Sequence, residues 1–210
     1  RRRQIEGERT LVMFVDFAKA YDSVPHAALL RKLSAMGIRG KLLRLLTAMY
    51  KAPRLSVKTP SGAQSESMEL EIGVRQGCPS SPILFNLFIN DLVDELEAGE
   101  EGVDIPALDA PKIGALLFAD DLVMLASSEE QLHVMVERLE GWCRKWEMKV
   151  NASKCGVMEI GTNGRADDLV FQVGEDRVPV VEAYTYLGCH FTHDLDLGAM
   201  AKHRAKMGEA

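Results

Sequence analysis

Residues 127–148, SSEEQLHVMVERLEGWCRKWEM, set Leu132, Met135, Val136, Leu139, Trp142, Cys143 and Trp146 at three- and four-residue steps. At 3.6 residues per turn these side chains fall on one stripe of an α-helix. Ser128 and Gln131 form a capping-box pattern at its start. His133 lies off the stripe and is expected to be exposed. Both tryptophans lie within it and read as core rather than as platforms for stacked bases. A stripe this long demands a second apolar layer to cover it.

That layer is written in short runs. TLVMFVDF (10–17) is rich in Val and Phe, is bounded by polar residues, and reads as a buried strand ending near Asp16. LLFADDLVML (116–125) reads as two short strands around an acidic turn, Asp120 and Asp121. KCGVMEIG (154–161) and LVFQVGEDRVPVVEAYTYLGCHF (169–191) read as further strands, with Gly174-Glu175-Asp176 a turn. SVPHAALLRKLSAMG (23–37) predicts a helix with Pro25 just inside its start, a face of Leu29, Leu30, Leu33 and Met36, and Gly37 at its end. A second helix, GKLLRLLTAMY (40–50), has Leu42, Leu45, Leu46 and Met49 as its apolar side. Residues 53–73 alternate around Pro-Ser-Gly and suggest a hairpin, and 80–98 predict a helix buried early and acidic late. Antiparallel strand pairs mixed with helices favour an α+β fold, its sheet covered on one face. There is no internal repeat.

A chain of 210 residues can build one sizeable core. Its net charge of −6 is not the basic balance of a nucleic-acid binder, yet the acid is concentrated. Eight carboxylates and no Lys or Arg lie between Asp91 and Asp109, expected to form a helix end and a loop facing solvent. Basic residues gather in RRR, RKLSAMGIRGKLLR and AKHRAK. Four cysteines without a CxxC pair argue against a zinc site or a disulfide framework and read as reduced thiols. No apolar run reaches the roughly 20 residues that cross a bilayer. The start, RRRQIEGERT, lacks a signal-peptide pattern, and because it begins without Met a fragment of a longer chain is expected; the reduced thiols point to an intracellular protein, in cytoplasm or nucleus.

Asp16 and the Asp120–Asp121 pair all sit at ends of apolar strands. If the first strand pairs beside the 116–125 hairpin, these carboxylates approach one another. They would then repel unless a hard cation such as Mg²⁺ neutralised them. Two solvated, unrelated turns are the alternative.

FVDFAKAYDSV, GVRQGCPSSPILFNLFINDL, LLFADDLVML, MKVNASKC and YLG occur in this order and together resemble the palm of reverse transcriptases, most closely those of non-LTR (LINE-type) retrotransposons. The resemblance covers about residues 11–190. It implies a right-hand polymerase palm, an antiparallel sheet backed by helices, with the fingers largely missing. Residues 1–181 would be palm with residual fingers elements, and 182–210 a primer-grip hairpin and the start of a thumb. The implied activity is RNA-directed DNA synthesis from dNTPs, on an RNA template and a DNA primer, within a larger retroelement polyprotein and without a membrane. Asp16, Asp120 and Asp121 would hold two Mg²⁺ ions, with Mn²⁺ as a substitute. Phe17 and Ala18 would approach metal and triphosphate through their backbone. Tyr21 matches the aromatic gate against a ribose 2′-hydroxyl, and Gln76 and Gly77 match the pair beside the incoming nucleotide. Ser81 and Pro82 match the start of the following helix. Lys154 matches a lysine near the triphosphate. Tyr186, Leu187 and Gly188 match the hairpin that supports the primer end. Arg75, where many relatives carry Pro, either touches a phosphate or is simply exposed. A non-catalytic remnant and a nucleic-acid-binding module are the rival readings.

Overall fold

The computed structural model describes residues 7–105, 112–161 and 169–208. The N-terminal arginine triplet and Asp109 lie outside the described residues. In chain order the elements are β1 (Thr10–Asp16), α1 (Ala20–Ser23), α2 (His26–Ala35), α3 (Gly40–Tyr50), β2 (Arg54–Leu55), β3 (Met68–Glu69), α4 (Ser81–Ile89) and α5 (Asp91–Leu96). They continue with β4 (Ala115–Phe118), β5 (Asp121–Ala126), α6 (Glu129–Trp146), β6 (Gly156–Ile160), β7 (Phe171–Val173), β8 (Asp176–Val178), β9 (Ala183–Tyr186), β10 (Cys189–Thr192) and α7 (Leu197–Gly208). They form two compact units. The first holds Arg1–Ala18, Asp91–Arg144 and Lys149–Ala210; the second holds Lys19–Asn90 and Lys145–Met148.

The first unit is built on an antiparallel sheet of order β4-β5-β1-β6. Because strand side chains alternate, β1 presents Leu11, Met13 and Val15 on one face and Val12, Phe14 and Asp16 on the other. Leu11, Met13, Val15, Leu122, Met124 and Val157 share the first face and are all buried. The stripe of α6 is buried as its spacing predicts, with Phe17 edge-on to Trp142 at 6.3 Å. The capping box also forms. Ser128 Oγ accepts the Gln131 N–H, while Gln131 Oε1 reaches back to the Ser127 N–H, one residue earlier than the motif's usual return.

The second face differs from the one-sided cover expected. Val12, Phe14, Val123 and Met158 are buried there beneath Tyr184, Tyr186 and Phe191 of the β9–β10 hairpin. Tyr184 stacks on Phe14 with ring centroids 4.2 Å apart and planes 5° off parallel. Gly156, paired with Phe14 across the ladder, makes this possible: a Cβ there would lie 3.0 Å from both the Tyr184 ring and Val181. The outer side of β6 is engaged at Val157, which donates to Pro179 and accepts from Val181.

The acidic stretch corrects a second expectation. Trp142 Nε1 donates to Asp91 at 2.9 Å, and Glu97 accepts the N–H groups of Gly114 and Ala115. Arg138 forks onto Glu101 at 2.6 and 3.2 Å and holds its carboxyl below the usual range. These acids tie α5 and the following loop to α6 and β4; they are not merely a solvated face. Burial keeps the Cys143 thiol protonated, pushed up to about 12.

The second unit packs α1–α4 around Val24, Leu29, Leu33, Leu46, Tyr50, Phe85 and Phe88. Pro25 caps α2 from outside, in extended backbone, rather than occupying its first turn. The buried side of α3 is Leu46 and Tyr50, whereas Leu42 and Leu45 are exposed. The 53–73 hairpin forms through β2–β3, closed by Thr59–Gly62. The predicted 80–98 helix is two helices, broken at Asn90. Lys32, within the apolar face of α2, is buried and donates to the Phe88 carbonyl at 2.6 Å.

Candidate active site

Asp16 closes β1 and pairs in register with Asp121 at the start of β5. Opposed residues of an antiparallel pair share a face, so both carboxylates extend the face that carries Phe14 and Val123. Neither backbone group of Asp16 bonds toward β5. Its N–H goes to Cys155 Sγ at 3.4 Å, and its C=O accepts the Asn151 N–H at 2.8 Å. Asp16 and Asp121 are therefore a non-hydrogen-bonded pair, the kind whose Cα atoms lie about 4.5 Å apart with side chains closest. Ala18 N–H donates to Lys149 at 2.8 Å and Phe17 bridges Val150, so the 16–18 backbone is clamped as the strand ends.

Asp120 sits in the two-residue turn. Ala119 before it has φ +52, a left-handed conformation that costs a non-glycine residue about 1 kcal/mol or more. Partial desolvation of the Asp121 carboxyl, then the charges of Asp120 and Asp16, push it above the ordinary carboxylate range. Lys154, mostly exposed, brings Nζ to 4.0 Å from Asp16 Oδ2. Tyr186 donates its hydroxyl to the Asp121 carbonyl at 3.3 Å, and Tyr184 donates to the Lys154 carbonyl at 2.8 Å. Leu187 and Gly188, with φ +48 and +73, form the tight β9–β10 turn.

Asp16, Asp120, Asp121, Lys154 and Tyr186 thus come together in the first unit. Asn151, Cys155 and Tyr184 join them without having been singled out by the sequence. For Tyr184 the signal was present, since it alternates with Tyr186 on one strand face.

Tyr21, Gln76 and Gly77 belong to the second unit. Tyr21 is half-buried and stacks on Phe85 at 4.4 Å, 14° from parallel, so its ring is held rigidly. Gln76 Nε2 donates to Asp22 at 2.9 Å. Gly77 has φ +79 with open space where a Cβ would lie, suiting close backbone approach. Pro82 takes the first turn of α4, as expected. Arg75 is exposed and donates to the Met49 carbonyl at 3.0 Å.

Among the described residues, no three His, Cys, Asp or Glu side chains close into a cage for a metal ion. The acids nonetheless suit Mg²⁺, which usually takes one or two carboxylates and fills its shell with water and substrate phosphates. Partial burial first, and then the neighbouring Asp120 and Asp16 charges, disfavour the ionised Asp121 carboxyl, and a divalent cation bound there would favour it.

A sheet with acids at one end, backed by helices on one face and by an aromatic hairpin on the other, is the palm of a right-hand polymerase. Telomerase chains share the fold. That of Candida albicans, solved with a TWJ fragment of telomeric RNA, matches with TM-score 0.62 and 13% identity over 92% of this chain and 32% of its own. Apo telomerase from Candida tropicalis matches with TM-score 0.60 and 16% identity over 90% of this chain and 32% of its own. Residues 2–191 match the family model described as reverse transcriptase (RNA-dependent DNA polymerase), and the chain belongs to that family. Its relatives include the Pol polyproteins of retrotransposable element R2DM of Drosophila melanogaster, 30% identical over 85% of this chain, and of element R2 of Popillia japonica, 29% identical over 78%. The RNA-directed DNA polymerase from mobile element jockey of Drosophila funebris is 25% identical over 83%. The chain spans 17%, 27% and 19% of these three proteins' lengths.

Proposed function

We propose that this chain is the catalytic core of an RNA-directed DNA polymerase from a non-LTR retroelement, joining dNTPs to a primer 3′-hydroxyl on an RNA template. The observation that carries this reading is the in-register Asp16–Asp121 pair, with Asp120 in the adjoining turn and Lys154 4.0 Å from Asp16. Asp16, Asp120 and Asp121 would hold two Mg²⁺ ions, or Mn²⁺. When bound, these would supply Lewis-acid activation of the 3′-hydroxyl and charge neutralisation on the leaving group. The 3′-hydroxyl gives up its proton to solvent as its oxygen attacks the α-phosphorus, the bond from that phosphorus to the oxygen bridging it to the β-phosphate breaks, and pyrophosphate leaves. Lys154, a cation beside Asp16, hands its proton to that pyrophosphate. Phe17 and Ala18 offer backbone only, since the Phe17 side chain is buried. Gln76 and Gly77 face the incoming nucleotide and template base. Residues 182–210 act as primer-grip hairpin and start of the thumb, with Tyr186, Leu187 and Gly188 at the primer end.

The test is primer extension on an RNA template with dNTPs and Mg²⁺. Extension is expected, lost with EDTA and restored by excess Mg²⁺. Salt-sensitive RNA binding without extension would instead make the chain a nucleic-acid-binding module. Tyr21, braced on Phe85, serves as the sugar gate. Tyr21→Ala is expected to raise ribonucleotide incorporation relative to dNTPs by about 10–200-fold, the range that steric discrimination of one small group supplies. Unchanged sugar preference in single-nucleotide extension would remove Tyr21 from this role.

A further inference from the structure

We propose that Cys155 is a positioning residue for Asp16, setting the metal affinity of the acid pair; this rests on reading Asp16 as a metal ligand. The β1–β6 ladder runs from Thr10↔Ile160 to Phe14↔Gly156 and stops. Extended by two residues, it would bring Lys154 opposite Asp16, where the Lys154 carbonyl would accept the Asp16 N–H. A 3₁₀ turn at Ala152–Lys154 breaks that path, and the Lys154 carbonyl takes the Tyr184 hydroxyl instead.

The thiol of Cys155 stands in for the missing carbonyl. Its sulfur accepts the Asp16 N–H at 3.4 Å, and its S–H donates to the Asn151 carbonyl at 3.3 Å. Asn151 completes a closed ring by donating its N–H to the Asp16 carbonyl at 2.8 Å. Cys155 is 2% exposed, so the ring of bonds it closes is shielded from solvent. Two consequences follow for the site. Asp16 is held with both backbone groups turned away from β5, which keeps its carboxylate apposed to Asp121. Lys154, released from ladder pairing, is free to send its ammonium back toward Asp16. A thiol is a weak donor and acceptor, but here it is the ring member joining the end of β1 to the 151–155 turn.

Mn²⁺ binding, followed by electron paramagnetic resonance, and steady-state primer extension on the same 210-residue chain test this. Cys155→Ala is expected to weaken Mn²⁺ binding about 10-fold or more, as loss of a supporting hydrogen bond behind a metal ligand does. It should lower kcat while leaving the KM for dNTP unchanged. Cys155→Ser, whose hydroxyl also accepts and donates, is expected to restore most of both. Wild-type Mn²⁺ affinity and kcat in a folded Cys155→Ala chain would overturn the proposal. So would Ala and Ser variants that lose thermal stability alike with no change in Mn²⁺ binding. An Asp16→Asn control separates the two levels of inference. If it leaves Mn²⁺ binding unchanged, the metal-site reading fails first, and the role of Cys155 fails with it.

Discussion

Replacing Asp16 by asparagine is expected to abolish Mg²⁺-dependent primer extension while the chain stays folded. A metal ion that offsets charge at a reacting phosphate contributes several kcal/mol, and a carboxylate that holds the ion is needed for that contribution. At about 1.36 kcal/mol per tenfold, a loss of about 4 kcal/mol means a drop of roughly 10³-fold in kcat/KM. The fold should survive because Asp16 is built in through its backbone, by Cys155 and Asn151, and not through its carboxyl. Lys154 Nζ is 4.0 Å away and mostly exposed, a pairing of little stabilising value.

Asp121 gives an independent readout of the same substitution. Its carboxyl titrates above the ordinary value of 3.8, and Asp16 is one of the charges responsible. A carboxyl raised in the folded state binds more protons there than in the unfolded chain. Without metal it therefore costs stability as pH rises from about 3.8 through its folded-state value. Asp16→Asn should lower the Asp121 titration midpoint and reduce that loss, so the metal-free variant gains stability over wild type toward neutral pH. Carbon-detected NMR of the Asp121 carboxyl and thermal melts at pH 4 and 7 check both. A variant that still extends primers at the wild-type rate, or an Asp121 midpoint that does not move, would separate Asp16 from the acid cluster.

Lys32→Ala is expected to cause the largest loss of stability in the second unit, about 3 kcal/mol. Lys32 is 4% exposed. Its ammonium bonds the Phe88 carbonyl at 2.6 Å and lies 4.0 Å from the Trp146 ring centroid and 4.5 Å from that of Phe88. Phe88 is in the last turn of α4, where carbonyls lack helical partners and the helix dipole is negative. A hydrogen bond from a charged donor is worth about 1.5–3 kcal/mol, and a desolvated cation–π contact about 2, against the cost of burying the charge. Lys32→Met keeps the apolar stem and removes the charge, so it should cost about half as much. Urea unfolding measures all three chains. Equal losses for Met and Ala would assign the effect to the ammonium, and equal stability of all three would refute the contact.

The two substitutions mark what sequence patterning can and cannot carry. Asp16 and the Asp120–Asp121 pair were legible because charge at the end of an apolar run is locally conspicuous, and a single strand pairing brings them together. The stripe of α6 was equally plain, since period and burial coincide. Lys32 was hidden by its own charge: it lies on the α2 face with Leu29 and Leu33, yet a periodicity of apolar residues passes over it. Leu42 and Leu45 show the converse, apolar residues whose spacing fits a buried face but which remain exposed. The partners of Asp91, Glu97 and Glu101 were invisible for another reason. Asp91–Trp142 and Glu101–Arg138 span 51 and 37 residues, and no local rule pairs a carboxylate with a particular distant donor. The Cys155 bond to Asp16, 139 residues away, is the extreme case.

The ring of Tyr184 occupies the space that a side chain at position 156 would need. Val181 crowds the same point at 3.0 Å, so the three positions are coupled, and alanine at 156 is admissible only where 181 and 184 have both given way. Among descendants of this sequence, identity at 156 should be a record of what stands at 181 and 184 together.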